Sequence, residues 1–239
     1  MDQFIRIPET RLPSGLVVER FDVGVFLCSK GPEGNLVVTA DHEPWTHISY
    51  QQAIDACKDA GYALITESQA LAIAYLASRQ PQNWTGYTGY PRLIQGIRKG
   101  GVTSPQPGMH NPEHMHEHRW MRVHNGTSTR PADICDINGN AWSWIFDNIH
   151  GDQAGMVALP GTGFTADSDS PSRRTQPHPP MTHGMGCFQP YSTGAFGPRA
   201  IIRGGCYISG KEAGAFGLKL CAAEFGYLTV GFRCTRPRP

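Results

Sequence analysis

Four histidines, His110, His114, His116 and His118, fall within nine residues and carry Glu113 and Glu117 between them. Imidazole and carboxylate together suit zinc, iron or nickel, and alternate residues of an extended segment share one side. Pro107, Gly108 and Pro112 put the cluster on a loop, whereas metal sites draw their ligands from a rigid frame. A polar surface loop therefore stands beside a transition-metal site as the reading of this segment. His42-Glu43-Pro44-Trp45-Thr46-His47 has the wrong spacing for H-E-x-x-H, and Pro44 breaks the helix that such a site needs. Gly161-Thr162-Gly163-Phe164-Thr165-Ala166 spells G-x-G-x-x-A after an apolar run. The Asp167-Ser168-Asp169-Ser170-Pro171 that follows has no helical period, so no helix N-terminus would meet a pyrophosphate there. No G-x-S-x-G elbow and no Walker loop occurs. The seven cysteines, 28, 57, 135, 187, 206, 221 and 234, are odd in number and include no C-x-x-C pair. They read as reduced, buried, small hydrophobes, and their spacing assigns no disulfide.

Other residues call for close packing rather than reactivity. Asp136-Ile137-Asn138-Gly139-Asn140-Ala141-Trp142-Ser143-Trp144 places two Trp at i, i+2, on one side of an extended segment, behind a Gly-Asn turn. Arg203-Gly204-Gly205 and Val230-Gly231-Phe232-Arg233-Cys234 each join an arginine to glycines that let backbones approach, which predicts buried, hydrogen-bonded arginines. The elements that position these residues are few. Residues 16–18 and 23–28 read as strands, and 31–35 as a hairpin loop before 36–38. Ser49 caps a helix with apolar positions Ala53, Ile54 and Cys57, stopped by Gly61. Thr66 and Gln69 form a capping box for a second helix with face Leu71, Ala74, Tyr75 and Ser78, which runs on until Pro81.

Composition frames the rest. The 239 residues include 28 Gly and 19 Pro but only 17% charged side chains, which excludes bundles and coiled coils. With 39% apolar and 10% aromatic residues the chain can form a core. No run of 18 apolar residues exists, so no membrane insertion is expected. The net charge of +1 leaves no footprint for nucleic acid. The N-terminus carries neither the basic nor the apolar region of a secretion signal. The sequons at Asn83 and Asn125 are then chance. One domain over 1–239 is the economical reading, with N-terminal strands over 1–40, the core over 41–239 and long loops over 82–130 and 151–200.

Taken in order, five segments resemble the formylglycine-generating enzyme family. Its pattern runs W-x-D-A, R-L-P-T-E-x-E-W, G-N-x-W-E-W, R-G-G-S-W and G-F-R. This chain offers Ser49-Tyr50-Gln51-Gln52-Ala53, Ala63-Leu64-Ile65-Thr66-Glu67-Ser68-Gln69-Ala70-Leu71, Gly139-Asn140-Ala141-Trp142-Ser143-Trp144, Arg203-Gly204-Gly205-Cys206-Tyr207 and Gly231-Phe232-Arg233. The resemblance implies an α+β, C-type lectin-like fold with two helices, short twisted antiparallel strands and long irregular loops. The departures matter as much. The family's two copper-binding cysteines would fall on Ser209 and Gly214, and a hydroxyl and a bare glycine cannot replace thiolates for Cu(I). Cys206 and Cys221, fifteen positions apart, do not restore the pair. The family's calcium site would use Asp136, Gly139, Ala141 and Ser143, with Ser143 where the family has Glu.

The chain resembles still more closely the variable proteins of diversity-generating retroelements, found in phages and bacteria. These keep the lectin-type frame and diversify solvent-facing residues before a segment like Val230-Gly231-Phe232-Arg233-Cys234. Residues 203–234 match that layout, with Gly204, Gly205, Ala213, Phe216, Leu218 and Leu220 as frame. Tyr207, Ser209, Lys211, Glu212, Gly217, Lys219, Ala222, Glu224, Phe225 and Tyr227 are then the ligand-binding positions. A half-exposed strand gives the same partial alternation without any diversification.

The resemblance implies a non-catalytic receptor-binding protein of a phage tail, located in the virion or in the bacterial cytoplasm before assembly. Its partners would be a host surface protein or glycan and other tail proteins, in a homo-oligomer or alone, without a cofactor unless calcium is kept. The alternative is a metal-dependent enzyme on the same scaffold, with ligands from the histidine cluster or from Cys206 and Cys221. A purely structural assembly module is the third reading.

Overall fold

The computed structural model describes residues 2–13, 15–85, 92–97, 100–104, 119–124, 132–146, 156–158, 184–186, 188–189 and 198–237. The first half runs β1 (Phe4–Ile7), β2 (Thr10–Arg11), β3 (Val17–Val18), β4 (Phe21–Gly24), β5 (Ser29–Lys30), β6 (Leu36–Val37), helix α1 (Tyr50–Asp59), β7 (Ala63–Leu64) and helix α2 (Glu67–Ser78). Then come β8 (Trp84–Thr85), β9 (Arg92–Leu93), β10 (Trp120–His124), β11 (Ala132–Cys135), β12 (Trp142–Ile145) and β13 (Met156–Ala158). The last strands are β14 (Phe188–Gln189), β15 (Pro198–Gly204), β16 (Gly214–Ala222), β17 (Val230–Phe232) and β18 (Cys234–Arg236). The fold is α+β.

Both helices start where the side chains dictate. Ser49 and Thr66 each accept the N3 backbone amide, while Gln52 and Gln69 reach back to the cap amide, so four end donors find partners. Gly61, at φ 74°, turns the chain after α1. Helix α2 ends at Ser78 rather than at Pro81, and it is buried beyond the expected face. Leu71, Ala72, Ile73, Ala74, Ala77 and even Glu67 are covered, while Tyr75 and Ser78 are half-buried. The reason is that β2, β3, β10 and β16 all pack around it.

A sheet in the order β14-β16-β15-β12-β17, with β13 also on β15, forms the centre. Its pairs are antiparallel except β12 with β17 and β14 with β16, which are parallel. Alternation along the strands sorts two cores. Ile145, Ile201, Leu218 and Leu220 face α2, whereas Trp142, Trp144, Ala200, Ile202 and Phe232 pack with Tyr50, Ala53 and Cys57 of α1. The two tryptophans thus share one side, and the indole of Trp144 donates to the Ile48 carbonyl at 3.0 Å. A second sheet, β1-β4-β18-β7, joins the N-terminal strands to the C-terminal one. The 31–35 hairpin forms between β5 and β6 as expected.

With neighbours on both edges and a core on each face, β16 buries every residue but Lys219. Gly217 and Ala222 are therefore interior, which corrects their expected place on a ligand-binding surface. Asn83 is buried too, and its amide donates to the Ala77 carbonyl at 2.8 Å, so its sequon is not accessible.

Candidate functional site: two loops beside an open cleft

The site is built on buried arginines. Arg203 of β15 donates through Nε and Nη2 to the Glu67 carboxylate and through Nη1 to the Phe216 carbonyl at 3.3 Å. Arg119 grips Asp136 with two bonds, of 2.8 and 2.5 Å, and also reaches the Thr103 and Ser104 carbonyls. Arg233 donates to the carbonyls of Gly24 and Cys135. The buried arginines expected from the sequence are present. The turn before the tryptophans is equally tight: Asp136 and Asn140 adopt φ 57° and 67°, which Asp and Asn tolerate better than other side chains. A Cβ at Gly139 would lie 2.7 Å from the Ile97 carbonyl oxygen, so only glycine fits.

Two loops emerge from this frame at one end of β12. After β15, Gly204 and Gly205 at φ 96° and 89° turn the chain outward, and a Cβ at Gly205 would meet Ala213. In loop 206–213 the Ser209 hydroxyl accepts the Cys206 amide at 2.9 Å, and Gln95 donates to the Lys211 and Ala213 carbonyls. Loop 223–229 is held by carbonyls that accept the amides of Tyr50, His47 and Trp142 from Ala223, Tyr227 and Thr229. The Tyr207 amide donates to the Asn140 carbonyl and the Trp142 amide to the Thr229 carbonyl, so the two loops are tied to the same segment two residues apart.

Their outer face is apolar. Ile208 is 71% exposed, Phe225 56% and Leu228 53%. Lys211 and Glu224 are exposed, and Tyr207, Ser209, Glu212, Lys219 and Tyr227 are half-buried. Tyr227 packs between Trp144 at 6.1 Å and Phe225 at 6.4 Å between ring centres. Ile208 and Leu228 were not singled out by sequence. Their signal is a large apolar residue inside a Gly-rich turn, where no core period explains it.

A cleft of about 730 Å³ adjoins loop 223–229 through His47. One wall is the polar stripe Gln52, Asp55 and Asp59 of α1, and Trp45 closes one end with the Lys30 ammonium 5.3 Å above its ring. At the other end the Tyr62 hydroxyl donates to Asp2 at 2.7 Å, and burial followed by that bond raises its pKa. No sequence pattern marked this cleft, because it joins segments far apart in the chain.

The proposed metal ligands fare differently. Asp136 offers no free carboxylate for calcium: Arg119 takes both oxygens and the Asn140 amide shares one at 2.9 Å. Gly139 is pressed against the 96–97 backbone and Ala141 is buried. Cys221 pairs with Ala200 on β15, four residues before Gly204, whereas Cys206 follows the turn at Gly204 and Gly205. The two cysteines do not form one site. At the copper positions, Ser209 caps its own loop, and a Cβ on Gly214 would come within 2.3 Å of the 185–186 backbone. His110, His114, His116 and His118 and the 161–166 glycine segment lie outside the described residues. Among the described residues no group of three His, Cys, Asp or Glu is placed to hold a metal ion. The six described cysteines are buried, and burial pushes the thiols of Cys28, Cys57 and Cys135 up.

The chain matches no family model and no curated protein. Among solved structures, PvdO from Pseudomonas aeruginosa aligns over 99% of this chain and 92% of its own, at 11% identity and a TM-score of 0.45. CarF aligns over 100% of this chain and 99% of its own, at 11% identity and a TM-score of 0.49.

Glu67 and Arg203 are both buried, so removing one charge strands the other. Glu67→Ala is expected to cost about 3–5 kcal/mol in urea unfolding. Adding Arg203→Met should recover more than half of that loss, and a double variant no more stable than the single one contradicts the pairing.

Proposed function

We propose that this chain is a non-catalytic binding protein of the formylglycine-generating enzyme-like, C-type lectin type. It takes a host surface ligand through loops 206–213 and 223–229. The observation that carries the reading is the exposure of Ile208, Phe225 and Leu228 on loops whose backbones are bonded into the frame. A backbone already fixed needs little further ordering on binding, and aromatic anchors among polar neighbours are the usual composition of a hot spot. Tyr207, Lys211 and Glu224 supply such neighbours. The resemblance of the ordered motifs supports the frame, and the absence of thiols at 209 and 214 supports a role without copper chemistry.

A phage tail is the setting proposed, with the host-facing loops as diversified positions. Burial of β16 favours residues 207–212, Lys219 and 224–229 as the positions open to such diversity. Several copies in one virion would turn weak single contacts into avidity.

The direct test uses fluorescently labelled protein on a panel of bacterial strains. The Phe225→Ala, Leu228→Ala double variant should unfold at the same temperature as the parent and bind about tenfold or more weakly. Equal titration curves, or no strain bound by the parent, contradict the reading. For diversification, the coding DNA should lie near a reverse-transcriptase gene and a near-copy of the 203–234 segment that differs at adenines. A near-copy whose differences fall instead on the buried codons would contradict it.

A further inference from the structure

The interior holds more positive than negative side chains among the described residues. Among the described residues five charged side chains are buried: the guanidiniums of Arg119, Arg203 and Arg233, and the carboxylates of Glu67 and Asp136. Arg119 pairs with Asp136 and Arg203 with Glu67. Arg233 has no carboxylate at ion-pair distance among the described residues, and its bonds to Gly24 and Cys135 engage two of five N–H donors. Desolvation lowers its pKa, yet an arginine keeps its proton inside a protein, so the charge stays. A buried charge without a counter-charge is among the costliest features a fold can carry.

Beside this group lies a cavity of about 30 Å³, lined on its polar side by Arg233, Arg203, Asp136 and Ser143. One water needs roughly 10–15 Å³, so the cavity has room for a monatomic ion. Both Asp136 oxygens are already engaged by Arg119 and Asn140. Ser143 sits opposite Arg203 in the β12–β15 register, and its hydroxyl makes only a 3.5 Å contact with the Trp144 carbonyl. With Arg203 neutralised by Glu67 and Asp136 by Arg119, the Arg233 guanidinium leaves the lining with one surplus positive charge beside a loosely held hydroxyl.

We propose that this cavity is a halide site, in which chloride is held by Arg233, Arg203 and the Ser143 hydroxyl. The anion supplies the negative charge that the described core residues lack, and it fixes α2, β12 and the end of β17 around one point. Chloride is therefore part of the folded protein, independent of what the outer loops bind.

Thermal unfolding of the full chain tests this, with sodium gluconate replaced stepwise by sodium chloride at constant ionic strength. The midpoint should rise by about 3–5 °C for each tenfold increase in chloride above its dissociation constant. Bromide should act alike and give an anomalous scattering peak between Arg203 and Arg233 in crystals. Ser143→Ala should move the chloride half-point upward while the variant still unfolds cooperatively in gluconate. Equal midpoints in gluconate and chloride, or a cavity that holds only water in bromide crystals, overturn the proposal.

Discussion

A guanidinium survives burial only where acceptors meet its donors, and three such groups decide how this chain wraps its sheet. Arg203 ties β15 to the first turn of α2 and to the backbone of β16. Arg119 ties the Asp136 turn to Thr103 and Ser104, in a part of the chain with few apolar residues of its own. Arg233 ties the C-terminal strands to Gly24 and Cys135. Hydrophobic burial holds the helices on the sheet, but the irregular segments are fastened by these polar contacts. The need to bring acceptors close also explains the nearby glycines, since Gly139, Gly205 and Gly214 sit where a Cβ would strike neighbouring backbone or Ala213.

This division of labour separates frame from surface. Loops 206–213 and 223–229 have bonded backbones at both ends, yet their outer side chains touch little. Such positions can change identity without disturbing the core, which is what a binding surface on a fixed scaffold requires. The same frame disfavours metal chemistry at the places where the family resemblance would put it. Arg119 fills the position beside Asp136, and the close approach at Gly214 leaves no room for a thiol.

Much of this was legible in the sequence. The capping pairs Ser49–Gln52 and Thr66–Gln69 are local, so they placed both helices; the paired tryptophans and the Arg-Gly motifs marked the packed centre. What the sequence could not convey is depth. Gly217 and Ala222 read as parts of a half-exposed strand, because nothing local says that β14 and β15 flank it and that its faces are covered. Asp136 read as a calcium ligand because its partner, Arg119, lies seventeen residues away across an intervening loop. The cleft at Trp45 was invisible for the same reason, since its walls come from the N-terminus, the β5–β6 hairpin and α1. The exposed Ile208 and Leu228, by contrast, carry a local signal, a large apolar residue in a Gly-rich turn.

The central claim is that a rigid buried frame carries freely variable outer loops. Saturation mutagenesis of 203–234, read by the amount of folded protein displayed on cells, tests it most directly. The account predicts near-complete tolerance at 208, 211, 224, 225 and 228 and strong intolerance at 203–205, 213–218 and 230–234. Intolerance at the five outer positions, or tolerance at Arg203, Gly205 and Arg233, would contradict it.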